Sequence, residues 1–141
     1  MRHFTWSSAH SVYLGEIDAE HRELFRLGEE VEKGLNSGVD LVKLQPVLAN
    51  LFHSVESHFK HEERLMHASH YSALAWHKKQ HDAVRLRLRR LARRIQAGNV
   101  DAARELLAFL DEWLNTHTQV SDRMMGAYIR NFLRFNTALA S

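Results

Sequence analysis

Apolar residues return every three or four positions along nearly the whole chain, the spacing that collects side chains on one side of an α-helix. Behind a polar arm, residues 1–17, which is expected to pack on the domain, the first stripe runs through His21, Leu24, Phe25, Gly28, Val31 and Leu35. Asp18 suits its N-cap, and Asn36-Ser37-Gly38 its end. A second helix is predicted to begin between Asp40 and Pro46, because proline is tolerated in a first turn, and to reach about His67. Its inward stripe is Leu44, Leu48, Leu51, Val55, His58, Glu62 and Leu65. After a loop around Ser69-His70, the stripe His77, His81, Val84, Leu88, Leu91 and Ile95 predicts a helix from about Ser72 to Ala97, closed by Gly98-Asn99. The fourth helix starts near Asp101 and turns Leu106, Leu110, Trp113, Leu114 and His117 inward. A tail through Met124, Ile129, Phe132 and Phe135 reads as its continuation. Four long helices on short loops make an all-α, up-down-up-down antiparallel four-helix bundle, a single domain over residues 18–141.

Composition narrows the chemistry. The 141 residues are 45% hydrophobic and 26% charged, enough for one core, and one proline with six glycines suits long helices. Having no cysteine excludes a disulfide scaffold, a thiolate metal site and a cysteine nucleophile together. Nineteen Lys+Arg against 17 Asp+Glu leave a formal charge of +2, too balanced for a nucleic-acid binder. The Arg85–Arg94 block reads as a solvated helix face, since no aromatic residues are interleaved for base stacking. No apolar run approaches the roughly 20 residues of a membrane span, and Met1-Arg2-His3-Phe4-Thr5-Trp6 lacks the stretch of a secretory signal, so a cytoplasmic protein is expected. The unusual figure is eleven histidines, the commonest protein metal ligands.

His58 and Glu62 are spaced by four, as are His77 and His81, so each pair shares one helical face, and in both it is the apolar face. Polar groups buried in a core need partners, and histidines on facing helices converge on one another or on something bound. With His21 from the first helix and His117 and Asp122 from the fourth, five imidazoles and two carboxylates aim at one interior. That donor set suits two iron-like cations. A single such pair on a helix is ordinarily surface decoration or a satisfied core histidine; the conjunction across all four helices is what points to metal. His3, His10, His53, His61, His67 and His70 read as solvated or interfacial. His117 and Asp122 are five apart and would splay by about 140° on an ideal helix, so a π-bulge is predicted between them.

Together, Asp18-Ala19-Glu20-His21, His58-Phe59-Lys60-His61-Glu62-Glu63, His77-Lys78-Lys79-Gln80-His81 and Trp113-Leu114-Asn115-Thr116-His117 through Asp122 resemble the hemerythrin family, in particular its bacterial single-domain members. The likeness runs from about Trp6 to Met125 and includes Met66 and Tyr71. It implies that His77, His81 and His117 bind one iron, that His21 and His58 bind the other, which keeps an open position for dioxygen, and that Glu62 and Asp122 bridge the two with a solvent-derived oxygen. The expected function is therefore reversible dioxygen binding at a non-haem diiron centre, for storage, delivery or sensing. Charge counting agrees. Ferritin-like sites use four glutamates with Glu-x-x-His on two helices, whereas this chain has no Glu-x-x-His, and fewer anionic ligands favour reversible binding over O–O cleavage.

Departures from the family pattern lie beside these motifs. Thr118 follows His117 where an apolar residue is usual, so its hydroxyl is expected to admit water or bond the bound ligand and speed autoxidation, an effect Thr118→Ile would remove. Tyr13 stands where glycine is common, and His70-Tyr71-Ser72 replaces Gly-Tyr-Pro. Trp113 and Phe59 flank ligands and are candidates for the oxygen pocket, Trp6 for pinning the arm, and Met124-Met125 for core filler. The rival readings are a diiron enzyme reducing nitric oxide or peroxide or oxidising ferrous iron, a sensor acting through a partner by way of residues 123–141, and a bundle holding zinc or no metal. A monomer or weak homo-oligomer is expected, with any reductase or signalling partner left open.

Overall fold

The computed structural model describes residues 4–140, with side chains through Asn136; His3, expected to be solvated or interfacial, lies outside them. The described residues form helices α1 (Gly15–Asn36), α2 (Leu41–Ala68), α3 (Leu74–Gln96) and α4 (Val100–His117), a π-helical turn (Thr118–Asp122) and α5 (Arg123–Ala140), which continues α4. Each helix packs on the next and α4 closes on α1, the ring of an up-down-up-down bundle, while α5 reaches α2. All the inward positions expected on α1 and α3 are buried.

Several boundaries differ from the sequence expectation, each for a local reason. The first helix starts at Gly15, with Leu14 and not Asp18 as its cap. Asp18 is buried in the first turn and accepts bonds from Ser11 Oγ (2.6 Å) and the Val12 N–H (2.8 Å), so its carboxylate ties down the arm. Pro46 lies inside α2 and not in its first turn. The carbonyl it leaves without a helical partner belongs to Val42, which is exposed to water. Asn99 caps α4 by accepting from the Ala102 N–H (3.1 Å). On α2, Leu65 is only half-buried and Met66 takes the interior position. Beyond the π turn the extra residue advances the register: Met125 and Ile129 are buried, whereas Met124 and Phe135 face solvent and Phe132 is half-buried.

The arm is held by specific contacts. The Phe4 N–H donates to Asp111 (3.0 Å), and His10, expected to be solvated or interfacial, is the latter: buried between arm and α4, it accepts from the Ser7 N–H (3.0 Å) and donates from Nε2 to Asn115 Oδ1 (2.7 Å). The Phe4 ring lies so close to Gly28 that a Cβ there would sit 2.5 Å from it. Trp6 packs on the core beneath the Arg22 guanidinium, 4.4 Å from the ring.

The family departures Tyr13 and His70 both adopt left-handed backbone, with φ of 59° and 57°. At His70 this is the reversal that ends α2, where the Tyr71 N–H bonds the Met66 carbonyl (2.9 Å). A side chain in that conformation costs roughly 1–2 kcal/mol, partly offset by glycine's greater freedom when unfolded. His70→Gly is thus expected to stabilise the fold by about 1 kcal/mol, read as a higher thermal midpoint. Tyr13→Gly should gain less, because the Tyr13 ring carries Arg130 (5.2 Å).

Two apolar clusters divide the interior. The larger fills the bundle from Phe4 to Leu114 and includes Val55, Phe59 and Val84; the smaller joins Met66, Tyr71, Met125 and Ile129 at the other end. Along α2 Glu62 falls between Phe59 and Met66, with His58 one turn before it, and along α4 and the π turn His117 and Asp122 fall between Leu114 and Met125.

Candidate metal centre

All seven residues expected at the site meet in the layer between these clusters. His21, His58, Glu62, His77, His81, His117 and Asp122 are buried, and none is more than 5% exposed. The expected π turn places Asp122 there, since its wider coil returns a residue five positions on to the face of His117.

The two carboxylates divide the imidazoles. Glu62 Oε1 faces His81 Nε2 (3.0 Å) and His77 Nε2 (3.6 Å), and Asp122 Oδ1 faces His77 (3.1 Å) and His117 (3.0 Å). Their other oxygens face the opposite way: Glu62 Oε2 lies 3.3 Å from His58 Nε2, and Asp122 Oδ2 lies 3.2 Å from His21 Nε2. One lobe thus has three nitrogens and two oxygens, the other two nitrogens and two oxygens, with both carboxylates spanning them.

These donors satisfy one another only in part: His21 Nε2 pairs with His58 Nε2 (2.9 Å) and His77 Nε2 with His117 Nε2 (3.2 Å). The four carboxylate oxygens and His81 Nε2 are buried without a hydrogen-bond partner, although nitrogens stand near them. Buried polar atoms seldom remain so, and atoms converging on a common point without hydrogen-bonding directions are what a cation requires. Metal bonds of about 2.1 Å at right angles set neighbouring donors about 3.0 Å apart, the spacing seen here. Five donors in one lobe exceed the four of a structural zinc site and suit an iron-like octahedral ion.

Outer carboxylates orient two of the five rings, while His21 Nδ1 and His77 Nδ1 are buried without a partner. His58 donates from Nδ1 to Glu20 (2.7 Å), His81 from Nδ1 to Glu63 (2.8 Å), and His61 holds the other oxygen of Glu20 (2.6 Å). Sequence reasoning assigned Glu20 and Glu63 no role. Their signal was available, since a metal-bound imidazole needs an acceptor for its second nitrogen and each glutamate adjoins a ligand in sequence.

Phe59 stacks on His81 (4.0 Å between centroids) and Trp113 on His117 (4.4 Å), so both aromatics back the three-histidine lobe, although Phe59 also reaches His58 at 6.2 Å. The Thr118 hydroxyl donates to the Leu114 carbonyl and is fully buried. Its proton is spent within the helix at the start of the π turn, which removes the basis for expecting it to donate to a bound ligand.

In the protein alone, protons stand in for cations. Burial would push His58 down, but Glu62 and Glu20 outweigh it and raise its pKa to about 10; burial likewise opposes Asp122 and Glu62 at His77, which rises to about 9. Against the upward push of burial, the imidazoles hold Glu62 and Asp122 well below the usual carboxylate range. A histidine whose folded pKa exceeds its unfolded value of 6.5 stabilises fully below pH 6.5 and loses that contribution as pH rises through the folded value. The metal-free protein is therefore expected to melt at progressively lower temperature from pH 7 to 10. The metal-loaded protein should vary much less, because cations replace those protons.

Fold and site together define a helical bundle built around a buried cluster of five histidines and two carboxylates that could hold two cations. The model of the Hemerythrin HHE cation binding domain matches residues 13–129. Relatives include a bacteriohemerythrin from Ralstonia nicotianae, 32% identical and aligned over 88% of this chain and 87% of its own length. A myohemerythrin from Sipunculus nudus is 27% identical over 84% and 88% of the two chains. Among solved structures, an L114A mutant of hemerythrin superposes with a TM-score of 0.79 at 25% identity, covering 89% of this chain and 95% of that one. The chain belongs to the hemerythrin family.

Proposed function

We propose that this protein binds dioxygen reversibly at a non-haem diiron centre, with His77, His81 and His117 holding one iron, His21 and His58 the other, and Glu62 and Asp122 shared between them. The observation that carries this is the division of donors into lobes of three and two nitrogens about two carboxylates. When bound, the iron pair supplies two electrons that can be lent to dioxygen and recovered. The protein's part is to keep the site dry between its apolar clusters, to orient His58 and His81 through Glu20 and Glu63, and to hold the lobes unequal, with one nitrogen fewer on the two-histidine side. Two carboxylates against five neutral imidazoles stabilise the oxidised pair less than a glutamate-rich site would, which favours release over turnover.

The reading extends to a cytoplasmic protein, monomeric or weakly self-associating, that stores, delivers or senses oxygen without nucleic acid or membrane. Among the described residues no helix is long and apolar enough to cross a membrane. Part of the basic face of α3 is already engaged, as Arg87 and Arg94 approach Glu105 at 3.8 and 2.7 Å.

The test is iron analysis with optical spectra after anaerobic reduction, on admitting oxygen and on removing it. The expected result is two irons per chain and a visible charge-transfer band that vanishes on deoxygenation and returns with air. Direct passage to the ferric form would overturn reversible binding in favour of an enzyme or redox sensor, and absence of iron would overturn the centre itself.

A further inference from the structure

The sequence reading counted Arg85 among the solvated arginines of α3, but it is only 18% exposed and holds three carboxylates. Its Nη1 lies 2.9 Å from Glu63 Oε2 and its Nη2 3.2 Å from Glu63 Oε1, a two-pronged grip, while Nε donates to Glu56 (2.8 Å) and Nη1 to Asp82 (2.9 Å). Glu63 Oε2 is also the atom that accepts from His81 Nδ1 (2.8 Å). Arg85 further lies over Phe59 (5.2 Å), whose ring stacks on His81. Two routes, one polar and one through an aromatic ring, thus join this guanidinium to one imidazole.

Resting on the diiron reading above, we propose that Arg85 is a positioning residue that sets the electron donation of His81, and with it how readily the iron pair is oxidised. A carboxylate on Nδ1–H pulls that proton and makes the imidazole a stronger donor at Nε2. An arginine gripping the same carboxylate draws its charge away and weakens the pull. The result is a ring held in place but restrained as a donor, which disfavours the ferric state and protects reversible binding. The two-histidine lobe is built differently: there Glu20, which orients His58, meets His61 at its other oxygen. Only the three-histidine lobe has its orienting carboxylate clamped by a permanent cation among the described residues.

The experiment compares Arg85→Gln, Arg85→Lys and Glu63→Gln with the unmodified protein, with Arg94→Gln, which pairs with Glu105 on the opposite side of α3, as a control for loss of a charge. Arg85→Gln should lower the reduction potential of the iron pair and speed autoxidation roughly tenfold, the scale on which groups behind a ligand act. Arg85→Lys should recover part of this, because it keeps the charge but not the fork. Glu63→Gln should raise the potential, and in that background Arg85→Gln should add little. In the zinc-loaded, diamagnetic protein the His81 Nδ1–H resonance should shift downfield in Arg85→Gln, a readout that needs neither iron nor oxygen. An unchanged resonance and potential in Arg85→Gln, or an effect that persists in full beside Glu63→Gln, would overturn the assignment. If the unmodified protein takes up metal but fails to release oxygen, the functional reading falls while the resonance still decides the role of Arg85.

Discussion

Glu62→Ala is expected to leave the purified protein with almost no bound iron, whereas His21→Ala should keep about one iron per chain. The difference lies in topology. Glu62 presents one oxygen to each lobe, 3.0 Å from His81 on one side and 3.3 Å from His58 on the other, so its removal takes a donor from both positions at once. His21 faces only the two-nitrogen lobe, and the other lobe retains His77, His81, His117 and both carboxylates. The truncation also leaves buried imidazoles beside a single acid, and breaking a buried charge pair on one side costs about 3–5 kcal/mol. Glu62→Gln, which keeps the volume, separates that effect from ligation: it should fold better than Glu62→Ala yet load as poorly. Iron content by elemental analysis, read beside the melting temperature of each variant, checks this. Two irons per chain in Glu62→Gln would mean that the carboxylate does not bridge.

Stripping the metal should have the second largest effect, lowering the melting temperature by about 12–16 °C at neutral pH without unfolding the protein at 25 °C. Ligand at about 1,000 times its dissociation constant stabilises the folded state by about 4 kcal/mol, and in a chain of this size each kcal/mol moves the midpoint by about 3–4 °C. The helices should persist, because the larger apolar cluster runs from Phe4 to Leu114 without drawing on the metal layer. Circular dichroism melts before chelation, after it and after readdition of ferrous iron measure the change and its reversal. Equal midpoints would mean that the site adds nothing to stability and that the protonated imidazoles neutralise the acids as well as cations do.

The bundle and the candidate ligands were readable without coordinates for one reason: helical periodicity is a property of neighbours in sequence. His77 and His81 share a face with Val84, Leu88, Leu91 and Ile95 because the backbone advances by about 100° per residue wherever the helix goes. Even the π turn was legible, as His117 and Asp122 conflict with ideal geometry and only a local change of pitch reconciles them. Periodicity is silent on what a residue meets across the bundle. Arg85 reads as a surface residue, and His10 could not be placed between solvent and an interface, because their partners lie far along the chain, at Glu56 and Glu63 and at Asn115. Asp18 fits the local rule for a cap, but the arm folding back onto it decided its use. Thr118 invited a role at the ligand until its hydroxyl was found bonded within its own helix.

What the sequence by itself determined was the set of helices, their buried faces and which donors those faces carry, since each follows from spacing along one helix. The split of the donors into three and two nitrogens was implied by the family resemblance and not by periodicity; only the tertiary structure decided which glutamates orient which rings, and that Arg85 stands behind one of them. Those relations join residues on different helices, and distances between helices are set by packing, which no single helix encodes.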